Sequence, residues 1–126
     1  MLDKWFSLQA TSRLPDTLDR VRGLTRHRGF DLENPNRVRA LVGAFCHANQ
    51  RRFHDASAEG YRFLSEHVLA IDAFNPQSAA RLLSAASRWR RLDGDRRARL
   101  QGELERILAA PGLSKDCHEV AAKFLA

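Results

Sequence analysis

The sequence predicts an all-α fold of stacked antiparallel helical hairpins, a superhelical array of the HEAT or armadillo kind. Three observations predict it. Apolar residues recur at steps of three and four along most of the chain, and no stretch alternates as a strand would. An Asn-Pro helix start occurs twice, at Asn34-Pro35 and Asn75-Pro76, 41 residues apart. Each copy follows another amphipathic segment, so the repeating unit is a helical hairpin with the roughly 40-residue period of such arrays. A length of 126 residues with 44% hydrophobic and 29% charged composition suits one core, which excludes both a disordered chain and several domains.

Seven helices follow from the pattern. The first opens the chain with Leu2, Trp5, Phe6 and Leu8, and the second carries Leu14, Leu18, Val21 and Leu24. The third runs from Pro35 to Ala48, with Val38, Leu41, Val42, Phe45 and Cys46 forming a full apolar stripe. Asn34 is its expected N-cap, and Pro35 takes the first helical position, where a missing N–H costs nothing. The fourth carries Tyr61, Leu64, Val68 and Ile71. Phe63, Ala70 and Phe74 lie outside that stripe, so this helix is expected to be buried on two sides, as a middle helix of an array is. In the fifth, Ala79, Leu82, Leu83 and Ala86 stand at the shifted positions of Val38, Leu41, Val42 and Phe45. The last hairpin pairs Leu100, Leu104, Ile107 and Leu108 with Cys117, Val120, Ala121 and Phe124 across Pro111-Gly112.

Most chemical classes find no support. No run approaches the ~20 apolar residues of a membrane span, and the first residues lack the pattern of a signal peptide, so a cytoplasmic protein is expected. Cys46 and Cys117 are too far apart for a Cys-x-x-Cys site and are expected to be reduced. His118-Glu119 begins like a zincin helix, but Ala122 stands where the second histidine is needed, and His27, His47, His54 and His67 have no matching partners. No nucleophile elbow surrounds Ser84, Ser87 or Ser114, and Asp93 and Asp95 sit around Gly94, where carboxylates cap a helix. No catalytic residue and no metal ligand is therefore expected.

The net charge of +6 is almost wholly arginine, since only Lys4, Lys115 and Lys123 among the 21 basic residues are lysine. Arg88, Arg90, Arg91, Arg96, Arg97 and Arg99 crowd around a turn between two helices, which reads as a solvated turn or as a phosphate-binding patch beside Trp89. Arg39 and Arg81 differ. Each lies in the first two turns of an Asn-Pro helix, beside the apolar stripe, on the flank that a stacked array turns to its concave face. Two guanidinium groups there suit a peptide carboxylate or carbonyl groups; the alternative is a pair of intramolecular salt bridges.

These residues also resemble a known family. Leu2-Asp3-Lys4-Trp5-Phe6-Ser7-Leu8-Gln9-Ala10, Asn34-Pro35-Asn36-Arg37-Val38-Arg39-Ala40-Leu41-Val42-Gly43-Ala44-Phe45, Phe53-His54, Gly60-Tyr61 and Asn75-Pro76-Gln77 are similar to the last portion of the C-terminal helical domain of bacterial aminopeptidase N. Arg88-Trp89-Arg90-Arg91-Leu92-Asp93 and Leu113-Ser114-Lys115-Asp116 extend the match in order over essentially the whole chain. Two places depart from it: the family more often has Gly-Ser-Gly-Tyr where Ala58-Glu59-Gly60-Tyr61 stands, and an aromatic where His118 stands.

The resemblance implies a piece of a larger, four-domain zinc aminopeptidase, with Met1 at an interior boundary and residues 1–126 forming one helical domain. The piece would be inactive alone. Its partners would be the preceding catalytic domain of the same protein, which carries the zinc, and the peptide substrate, with no membrane and nucleic acid disfavoured. It also implies that Arg39 and Arg81 line the cavity leading to the metal and bind substrate. The rival expectation is a free-standing helical-repeat scaffold that binds protein or nucleic acid through its arginines. No cofactor is expected within this chain itself.

Overall fold

Local chemistry starts the helices where the Asn-Pro pairs stand. The Asn34 side chain accepts hydrogen bonds from the backbone N–H groups of Asn36 (3.0 Å) and Arg37 (3.4 Å), and Asn75 accepts from that of Ser78 (3.1 Å). Asp93 and Ser114 cap later helices in the same way, through Arg96 and Cys117. The computed structural model describes residues 2–55 and 57–126, and over those residues it is helical with no strand.

Eight α-helices appear among the described residues: α1 (Leu2–Ala10), α2 (Thr17–Leu24), α3 (Pro35–Val38), α4 (Gln50–Phe53), α5 (Glu59–Asp72), α6 (Pro76–Leu83), α7 (Gly94–Leu108) and α8 (Lys115–Leu125). After α3 the chain continues as a π-helical stretch, Arg39–Ala48, whose wider turn follows the same continuous rod. Two 3-10 turns, Ser84–Ala86 and Trp89–Arg91, link α6 to α7.

The hairpins stack as the period predicts. α5 pairs with α6 and α7 with α8, and between the two layers α5 lies on α7 and α6 on α8. The layer before them is less regular, because the π-helical stretch packs mainly on α1 and only secondarily on α2. Phe45, Phe53, Tyr61 and Phe63 form an edge-to-face aromatic cluster where that layer meets α5. Burial on two sides makes α5 the centre: Tyr61, Phe63, Leu64, Val68 and Ile71 are all within 1% of complete burial.

Several expectations change in detail. Leu14 is 55% exposed, because Pro15 keeps the chain in a turn and α2 begins only at Thr17. Phe74 lies past the end of α5 and is 41% exposed, and Ala70 is exposed too, so of the three residues outside the stripe only Phe63 is buried. The short α4 has too few residues to show a periodicity; its one signal is Asn49, which caps it. Asn49 is itself buried and donates through Nδ2 to the carbonyls of Ala10 (2.9 Å) and Ser12 (2.7 Å), tying the end of α1 to the start of α4.

The turn before α5 has unusual backbone geometry. Ala58 adopts φ +62°, in the left-handed region, and Gly60 lies against Phe53 so closely that a Cβ there would come within 2.3 Å of the Phe53 carbonyl oxygen.

Candidate functional site

The seam between the π-helical stretch and α6 is open rather than filled. Pro35, Arg39, Gly43 and His47 follow one another at four-residue steps on the first wall, and Ser78, Arg81 and Leu82 form the second. With Val38 and Ala44 they enclose a cleft of about 380 Å³, within the range of ligand sites. Arg39 and Arg81, separated by 42 positions in sequence, thus line one cleft. The two Asn-Pro caps set both helices in the same way, and stacking brings their flanks face to face.

Neither guanidinium has a carboxylate partner among the described residues. Arg39 donates to the Asn36 side-chain oxygen (2.5 Å), which steadies it one turn above its own helix start. Both residues are solvent-exposed. Gly43 contributes space: the nearest atoms to a Cβ placed there are the Val38 carbonyl oxygen and the aliphatic part of Arg39, at 3.7–3.9 Å. The cleft combines an apolar floor with two cations, a hydroxyl at Ser78 and an imidazole at His47. That set can bind an extended chain and hold a carboxylate or carbonyl oxygens bidentately.

A second cleft of about 500 Å³ adjoins the first and shares His47 with it. Gln50, His54, Ser84, Ser87, Arg88 and Arg91 give it a polar wall. His54 is held on both ring nitrogens, with Gln50 Oε1 3.0 Å from Nε2 and the Tyr61 hydroxyl 2.7 Å from Nδ1. Burial, with the Arg96 cation nearby, pushes the His54 pKa below the ordinary histidine value. Burial raises the Tyr61 hydroxyl to about 12, so it stays a donor.

The arginine run divides. Arg96 pairs with Asp93 (2.5 Å) and donates to the His54 carbonyl (2.6 Å), and Arg99 pairs with Asp95. Arg90 lies over the Trp89 ring, and Trp89 is buried with its indole N–H donating to the Phe124 carbonyl (2.8 Å). Trp89 lines the second cleft but keeps only 6% of its surface exposed. Arg88 and Arg91 alone of the run reach the second cleft, a grouping that sequence spacing does not reveal.

Among the described residues no three His, Cys, Asp or Glu side chains come together to hold an ion. His118 is exposed on α8. Both thiols are buried, and burial raises Cys117 to about 12 and Cys46 further still, which leaves them protonated and unreactive. No helix among the described residues is long and apolar enough to cross a membrane.

Over residues 1–126 the sequence matches the family described as a domain of unknown function (DUF3458_C) with ARM repeats. Aminopeptidase N of Caulobacter vibrioides is 48% identical over 99% of this chain, and that of Escherichia coli is 42% identical over 100% of it. The chain spans 14% of the length of each of these relatives. The solved structure of Legionella pneumophila aminopeptidase A in complex with aspartic acid is similar, with a TM-score of 0.91 and 38% identity over 98% of this chain and 14% of that one.

Proposed function

Because this chain belongs to the DUF3458_C family of ARM-repeat domains, we propose that it is the helical end domain of a zinc-dependent aminopeptidase, one that closes the active-site cavity and lines the peptide channel. In this reading residues 1–126 are one domain of a larger cytoplasmic protein, packed against the preceding catalytic domain. The reaction of the whole protein is hydrolysis of N-terminal residues from peptides. Zinc would supply the hydrolytic chemistry in the catalytic domain; the residues described here do not fit a metal, so none of their work is routed through one.

One observation carries the reading: Arg39 and Arg81 share a cleft and have no carboxylate of their own among the described residues. A guanidinium remains protonated and moves no proton, so its contribution is to bind and orient. We assign to the pair the peptide beyond the scissile bond, held through carbonyl oxygens or a terminal carboxylate while apolar side chains rest on Val38, Ala44 and Leu82. Holding the remote part of a substrate fixes the position of the bond to be cut, and only substrates that possess that part benefit.

The test follows from that last point. In the complete enzyme, Arg81→Ala is expected to raise KM about three- to tenfold more for peptides of four or more residues than for a single-residue chromogenic substrate. Equal effects on both substrates would remove the channel role.

A further inference from the structure

The first cleft does not end the open seam. Beyond His47 it continues into the second, where Arg88 and Arg91 stand with Gln50, Ser84 and Ser87. No Asp or Glu lines either cleft. The carboxylates that form ion pairs do so elsewhere, with Arg20, Arg22, Arg37, Arg52, Arg62, Arg96, Arg99, Arg106 and Lys115. Four arginines that line one seam, Arg39, Arg81, Arg88 and Arg91, have no carboxylate partner among the described residues. The positive field along this groove is therefore uncompensated by its own walls, and it favours an anionic occupant.

We infer that the seam is a two-station anion groove, in which Arg88 and Arg91, with His47 between the stations, hold a second carboxylate of the peptide that Arg39 and Arg81 engage. The inference rests on the peptide-channel reading above and adds a substrate class to it, peptides with a carboxylate at a set distance. The spacing comes from the chain. Arg81 and Arg88 are seven residues apart on α6 and its helical continuation, whose residues keep helical dihedrals through Ser87. At about 1.5–2.0 Å per residue that is about 10–14 Å, or three to four residues of extended peptide at about 3.3–3.6 Å each. The carboxylate is either an Asp or Glu side chain or the peptide's own C-terminus, and both present the same planar group to the same fork.

The experiment uses the complete aminopeptidase and peptides sharing one N-terminal residue. Glu and Gln are compared at each successive position, and a free C-terminus is compared with its amide at each length. The wild type is expected to favour Glu over Gln by about three- to tenfold in kcat/KM at one position, three to four residues beyond the group held at Arg81. If the terminal carboxylate is the natural occupant, amidation costs the same factor at the matching length. The double variant Arg88→Gln/Arg91→Gln is expected to bring that ratio to about one, and rising salt to do the same in the wild type. Circular dichroism and thermal unfolding of the variant confirm that it is folded; both side chains are exposed, and the single variants serve if the double one is not.

A Glu/Gln ratio and an acid/amide ratio both unaltered by the double variant overturn the second station, while a length-dependent effect of Arg81→Gln in the same assay leaves the first standing. Loss of length dependence at Arg81 together with no charge preference anywhere overturns both.

Discussion

Among the described residues Ala58 is the one non-glycine with a left-handed backbone. A left-handed backbone conformation costs an L-residue roughly 1–2 kcal/mol, and glycine adopts it freely at an entropic cost of about 0.5–1 kcal/mol. With φ at +62°, Ala58→Gly is therefore expected to stabilise the chain by a few tenths to about 1 kcal/mol in urea denaturation. The departure from the family resemblance, alanine where that resemblance implies glycine, acquires its physical meaning here. Two residues on, the same turn forbids any side chain. Gly60→Ala places a Cβ 2.3 Å from a carbonyl oxygen and is expected to cost about 1–3 kcal/mol, and a neutral result would contradict the packing described.

Ser114 shows how helix ends tie the layers together. Its hydroxyl accepts from the Cys117 N–H as the cap of α8, while its own N–H (2.8 Å) and hydroxyl both donate to the Asp72 carboxylate at the end of α5. Burial works against the ionised Asp72, yet the bonds from Ser114 bring its pKa below the ordinary aspartate value. Ser114→Ala removes the cap and half of Asp72's support, with an expected loss of about 1–3 kcal/mol. Ser114→Thr is expected to recover most of it, whereas Ser114→Asp caps α8 but sets a like charge beside Asp72 and does not. A lower urea midpoint at unchanged slope is the signature sought.

At the level of whole helices, the Asn-Pro starts and the apolar stripes were legible because both are local: a cap needs three residues, and a stripe needs two turns. The π-helical winding of Arg39–Ala48 was not, since Val38, Leu41, Val42, Phe45 and Cys46 suit an α-helix equally. The winding belongs to how that rod meets α1 on one side and α6 on the other.

For the molecule as a whole, acid is the informative variable. His54 and His67 lie partly or mostly buried, and burial lowers both pKa values below 6.5; at His67 the Phe63 carbonyl bonded to Nδ1 (2.9 Å) offsets this only in part. A lowered folded-state pKa means that the unfolded chain binds more protons. The stabilisation is then complete above about pH 6.5 and is lost as pH falls through the folded-state values. Asp72 adds a second loss only below pH 3.8. The urea midpoint is expected to fall between pH 7.5 and 5.5, with a smaller fall in His67→Gln; identical midpoints at the two pH values would refute the assignment.

The sequence by itself determined that the chain is a helical array, where its repeated helices begin, and that Arg39 and Arg81 each lie within the first two turns of one of them, beside the apolar stripe, because caps, periodicity and repeats are written in neighbouring residues. Only the tertiary structure decided that these two arginines share one cleft, and that Arg88 and Arg91 leave the rest of their run to line the next. Which flank of a helix stays open depends on how segments some 40 residues apart stack, and that is set by the packing of Phe45, Phe53, Tyr61 and Phe63 rather than by any residue in the groove.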